Sequence, residues 1–121
     1  MTRIALRKLL PLLLLAGVVA APLAQADGDP ASDYLLSQPT FVSPNARIST
    51  SDQAKLDALV TEARRRGYTI RIAVIQSRYD LGAVTALDRK PRRYAHFLSQ
   101  ELRLIYKKRL LVVMPNGLWH R

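Results

Sequence analysis

The apolar residues of SDQAKLDALVTEARRRG, Ser51 to Gly67, fall at Ala54, Leu56, Leu59, Val60 and Ala63. That spacing predicts an α-helix with one apolar stripe. Thr50 and Gln53 have capping-box spacing, with Ser49 or Ser51 as alternative N-caps. Arg64, Arg65 and Arg66 fill the last turn, where positive charge complements unpaired carbonyls. Gly67 stands where a left-handed residue ends a helix. YTIRIAVIQ then switches to a period of two, with Ile70, Ile72 and Val74 alternating with Arg71 and Ala73, which predicts a strand. In SRYDLGAVTALDRKP the pattern breaks into a loop, with a short helical turn in LGAVTAL. Helical spacing returns in RRYAHFLSQELRLIY, with Tyr94, Phe97, Leu98, Leu102 and Ile105 on one stripe. Pro91 suits the first position of that helix, with Lys90 or Asp88 before it. Lys107, Lys108 and Arg109 close it. Leu110 to Met114, LLVVM, is apolar throughout and bounded by charge and proline, the pattern of a strand buried on both faces.

Helix, strand, helix, strand is the resulting order. Strands joined by a crossover helix run parallel, with a right-handed connection. The expected fold is therefore α/β: two helices packed on a small sheet with a parallel β-α-β core, over residues 51–121. Asn116-Gly117 is a hairpin signal, but only Leu118, Trp119, His120 and Arg121 follow it. The sheet is expected to be incomplete. Its edge, formed by Leu110, Leu111, Val112, Val113 and Met114, would be open to self-association or a partner strand. A frame cut short is the alternative. Residues 27–50 carry turn signals at Asp-Gly, Asp-Pro, Gln-Pro and Ser-Pro-Asn, and read as an irregular arm. Tyr34, Leu35, Leu36, Phe41 and Val42 would tack it onto the body.

The first 26 residues have the layout of a secretory leader. Arg3, Arg7 and Lys8 precede an apolar run centred on Leu12 to Val19, and Ala24 and Ala26 supply the small-residue cleavage pattern. This predicts a secreted or periplasmic protein. The alternative is an N-terminal membrane anchor, but Leu9 to Ala24 contains Pro11, Gly17 and Pro22 and falls short of the about 20 residues a spanning helix needs. Arg7-Lys8 is not a twin-arginine pair, so the general secretion route is expected. No cysteine is present. That excludes disulfides, a lipid-modified N-terminal cysteine, thiol catalysis and cysteine metal sites.

Charge adds a surface to this picture. The chain has 19 basic and 9 acidic residues, and the leader removes three of the former and none of the latter. Arg64, Arg65 and Arg66, together with Lys107, Lys108 and Arg109, are placed by the topology at the strands' N-terminal edge. They serve either as helix-dipole complements or as a basic face for an anionic membrane or cell-wall polymer. Arg89, Lys90, Arg92 and Arg93 fall at the opposite edge, where open parallel sheets bind ligands. Positive charge there opposes the helix dipole. It marks either an anion site shared with backbone N–H groups or a solvated loop carrying a penalty under about 1 kcal/mol. Export and sparse aromatic interleaving argue against nucleic acid. No catalytic constellation is visible: His96 lies one position off its stripe, His120 is in the tail, the glycines are scattered, and no G-x-S-x-G occurs. Asp80 is the best-placed carboxylate. Asp27, Asp29 and Asp33 in the arm are a weak cation site or a solvated tail.

LDALVTEARRRGYTIRIAVIQS, YAHFLSQELR and RLLVVMPNG, following an arm with DPASDYLL, together resemble the TPM domain family from about Asp29 to Gly117. The resemblance implies a mixed sheet between helices and an exported protein, often membrane-anchored. In some plant relatives it implies acid phosphatase activity and calcium. In that family, acidic residues from the arm, from the loop after the first strand and from a later Gly-Tyr-Gly-Leu-Glu-like turn gather at one edge. Asp29 or Asp33, and Asp80, would correspond; no residues here match the later turn. The resulting expectation is an exported cell-envelope accessory module without catalysis. The alternatives are a calcium-assisted phosphatase using Asp29, Asp33 and Asp80, and a truncated frame without function.

Overall fold

A computed structural model describes residues 28–121. The leader, with Ala24 and Ala26, lies outside the described residues. Over the described residues the fold is α/β: three α-helices and a four-stranded, mostly parallel, open sheet. Strand order is β1-β2-β3-β4. Strands β1 (Thr40–Val42), β2 (Ile70–Val74) and β3 (Arg109–Met114) are parallel, and β4 (Gly117–His120) returns antiparallel. No helix among the described residues is long and apolar enough to cross a membrane.

The arm is not irregular. It holds a helix, α1 (Pro30–Leu35), and the edge strand β1. Its proline signals mark the boundaries of short elements rather than a loop. Pro30 occupies the first turn of α1, where its missing N–H costs nothing. Pro39 precedes β1, accepting from the Ile72 N–H at 2.9 Å, and Pro44 follows Ser43, the last residue to pair with β2. Leu35 and Phe41 are buried as anchors, whereas Tyr34 and Leu36 are exposed.

Ser49 caps α2 (Thr50–Arg65), its hydroxyl accepting from Asp52 N–H at 3.0 Å. At the other end Gly67 has φ +89°. Gly67 N–H reaches the Arg64 carbonyl and Tyr68 N–H the Ala63 carbonyl, the paired bonds of a Schellman cap. The expected apolar stripe is only partly used: Val60 is buried, Leu59 is 68% exposed. In α3 (Pro91–Leu102) the stripe is used more fully. Tyr94, Leu98 and Leu102 are completely buried and Phe97 half-buried. Ile105 falls beyond the helix and is exposed. Two single-turn 3₁₀ segments, Arg78–Leu81 and Thr85–Leu87, shape the loop between β2 and α3.

Parallel partners share a face of the sheet, so Phe41, Ala73 and Val112 point one way with Ile75, Leu110 and Met114. That face is covered by α1 and α3 and forms the core with Leu35, Tyr94, Ala95 and Leu98. The opposite face carries Ile72, Leu111 and Val113. α2 packs there on β1 and β2, leaving Leu111 and Val113 half-buried. β3 is paired on both sides, so Leu110 to Met114 are not an edge. The open edges belong to β1 and β4, because four residues after the turn suffice for β4 to cover β3.

Candidate functional site

At the C-terminal edge of the parallel strands, the arm and the loop after β2 bring together two buried carboxylates. Asp29 is the N-cap of α1, accepting from Ser32 N–H at 3.3 Å through Oδ2. The same oxygen accepts from the Tyr94 hydroxyl at 2.6 Å, a partner 65 positions away. Asp29 Oδ1 is buried with no hydrogen-bond partner. Burial pushes the Asp29 carboxyl up to about 6, opposed by the bonds from Tyr94, Ser32 and Ala31. Tyr94 is pushed far above the usual phenol range, first by burial and then by the charge of Asp29.

Asp80 is 5% exposed. Its Oδ2 accepts from Gln76 N–H and Ser77 N–H, both at 2.9 Å, and Oδ1 accepts from the Asn45 amide at 3.4 Å. Ser77 in turn accepts from Tyr79 N–H, completing a reciprocal cap on the first 3₁₀ turn. Arm and loop touch closely here: a Cβ on Gly82, whose φ is +56°, would come within 2.3 Å of the Gly28 carbonyl oxygen. Asp33 is exposed one turn along α1.

Calcium requires six to eight oxygens. Among the described residues no three His, Asp or Glu side chains gather to hold a metal ion. Both oxygens of Asp80 accept from N–H donors, and among the described residues Asp29 Oδ1 is the one buried carboxylate oxygen without a bond. Among the described residues, Asp29, Asp33 and Asp80 are not gathered as a cluster of metal-ligating side chains. The residues present lock the arm onto the loop.

The basic clusters separate into distinct surfaces. Arg65 and Arg66 pair with Glu62 at 3.1 and 2.9 Å on the exposed face of α2. Arg64 turns toward a hollow of about 490 Å³ that also holds Asp57, Arg71 and Tyr106. Arg71 stacks on the Tyr106 ring at 4.3 Å and donates to the Leu35 carbonyl; burial lowers its pKa. Lys107 and Lys108 do not close α3, which ends at Leu102 with no basic residue in its last turn. They lie in the following loop, and Arg109 opens β3, its guanidinium 4.0 Å from the Tyr68 ring centroid. Lys107, Lys108, Arg109 and Arg121 surround a hollow of about 480 Å³ whose only other lining residue is Gly67. None of the four forms an ion pair among the described residues.

No family model matches the chain, and no curated protein or solved structure matches it.

At the start of α3, Lys90 is the N-cap without a side-chain bond, and Arg89 has φ +59°. Arg89 presents its carbonyl to the Asn116 amide at 2.7 Å, joining the β3–β4 turn to the helix. Arg92 and Arg93 face β4 instead, across a groove that also holds Trp119 and His96. Of Arg89, Lys90, Arg92 and Arg93, only Arg92 and Arg93 line this groove. Sequence reasoning missed this groove because it treated the last four residues as a tail. Leu118 and Trp119, two residues of strand-favouring size directly after an Asn-Gly turn, were the available signal.

Proposed function

We propose that this chain is an exported, non-catalytic interaction module of the cell envelope that docks on an anionic membrane or cell-wall polymer. The docking face is Lys107, Lys108, Arg109 and Arg121. One observation carries the reading: Lys107 and Lys108 lie beyond the end of α3, around an acid-free hollow, so helix-dipole complementation does not account for them. With the leader's three basic residues removed, the net charge of 16 − 9 = +7 adds a long-range attraction to the same surfaces.

Each basic residue close to an anionic bilayer contributes about 1 kcal/mol, roughly fivefold in affinity. Cosedimentation with vesicles containing an anionic phospholipid, and with neutral vesicles, tests the reading. Binding is expected to the anionic vesicles, to fall with added salt, and to drop roughly 25-fold in Lys107→Glu/Lys108→Glu even before repulsion is counted. Equal binding by the variant, or none by the parent to vesicles or to isolated cell-wall polymer, would sink it. The calcium-assisted phosphatase remains the rival reading. It predicts a rise in melting temperature with millimolar calcium.

A further inference from the structure

The outer edge of β4 has a defined hydrogen-bonding face. Leu110 and Arg121 exchange both backbone bonds, at 2.9 and 2.8 Å. Antiparallel pairs alternate, so Val112/Trp119 and Met114/Gly117 are the next bonded pairs. The N–H and C=O groups of Leu118 and His120 therefore point away from β3. No strand among the described residues pairs with them, and every residue of β4 is exposed.

Beside this edge lies the groove between β4 and α3, about 1030 Å³. Arg92, Arg93, His96 and Phe97 form the helix wall; Trp119 and Arg121 form the strand wall. No acidic residue lines it. The Arg92 guanidinium sits 5.3 Å from the Trp119 ring centroid. Both ends of the hairpin are tied to the helix side, by Asn116 to the Arg89 carbonyl and by Arg121 to His96 Nδ1 at 2.5 Å. The groove is thus formed before any ligand arrives. Arg92 to Gln100 span about 12 Å of helix at 1.5 Å per residue, the length of three to four residues of extended chain.

We propose that β4 accepts an extended acidic peptide segment as a fifth strand. Its main chain pairs with Leu118 and His120, and its alternate side chains enter the groove against Trp119, with carboxylates reaching Arg92 and Arg93. Open backbone groups select a peptide over a small anion, and the acid-free basic rim selects an acidic sequence. A second copy of this chain fits poorly, since two-fold pairing of β4 with itself would bring Arg92, Arg93 and Arg121 of both copies together.

Trp119 is the chain's one tryptophan, so its fluorescence reports on the groove. The 121-residue chain would be titrated with a capped peptide of alternating glutamate and valine. The expected result is a saturable shift in Trp119 emission and slowed amide exchange at Leu118 and His120. A central proline in the peptide should abolish both. Arg92→Glu/Arg93→Glu, at exposed positions that leave the core intact, should weaken binding by about tenfold or more, as two attractive rim charges become repulsive. Several outcomes would overturn the proposal. They are no shift, an equal shift with the proline-containing or an alternating lysine–valine peptide, protection that appears only with self-association, and the same emission change with anionic vesicles alone.

Discussion

Asp29→Asn removes a charge that folding must otherwise bury. The carboxyl is 2% exposed, one oxygen bonded to Tyr94 and Ser32 and the other to nothing. Its ionisation moves from 3.8 to about 6 on folding. At 1.36 kcal/mol per pKa unit, the ionised form is disfavoured in the folded state by about 3 kcal/mol. The folded chain binds the proton more tightly, so this contribution to stability is fully present below pH 3.8. It is lost as pH rises to about 6. Asparagine caps a helix as well as aspartate does, and its amide carries no charge to bury. Urea denaturation of both chains across this range, followed by circular dichroism, measures the difference. The stability of Asp29→Asn relative to the parent should improve by about 3 kcal/mol between acid and neutral pH, the improvement ending near pH 6. Parallel stability–pH curves for the two chains would show that the Asp29 proton is not linked to folding.

Tyr94→Phe leaves the Asp29 carboxyl without its shortest bond and should cost about 1–3 kcal/mol in the same denaturation assay; no loss would mean the 2.6 Å contact is energetically idle. In Gly82→Ala the new Cβ would meet the Gly28 carbonyl oxygen at 2.3 Å and force a left-handed alanine. A loss of about 1–3 kcal/mol is expected, with faster proteolysis of the arm. Leu98→Ala, fully buried beneath α3, should lose about 2–5 kcal/mol, whereas Leu59→Ala on the exposed side of α2 should stay within about 0.5 kcal/mol. Equal losses for these two leucines would contradict the assignment of the core.

The sequence spoke clearly where one period persisted. α3 and β3 were legible because Tyr94, Leu98 and Leu102 recur at helical spacing and Leu110 to Met114 form an unbroken apolar run. α2 was legible as a helix but not in its burial. Its stripe predicts a covered face, while the helix packs only on β1 and β2 and Leu59 stays exposed. The arm was misread because α1 and β1 are shorter than the window in which periodicity shows; there, prolines at element boundaries look the same as prolines in a loop. The sequence offered Asp29 or Asp33 from the arm, with Asp80 from the loop, and left the choice between the first two open; Asp29 is the buried one and Asp33 is exposed. What the sequence could not give was the partners of Asp29 and Asp80, since Tyr94 and Asn45 reach them across 65 and 35 positions.

β1 is three residues long and is held to the sheet along one side only. Its attachment depends on the six-residue α1 and on the contact of Gly28 with Gly82. The N-terminal arm is therefore the smallest cooperative unit of the fold, and sub-global opening should begin there rather than in α3 or β3. When it opens, Phe41 leaves the core and the flank of β2 loses its cover, so the native ensemble includes a minor species with a second unpaired strand. Because Asp29 regains water in that species, its population rises with pH, and the same carboxyl that caps α1 sets how often the sheet is briefly three strands wide.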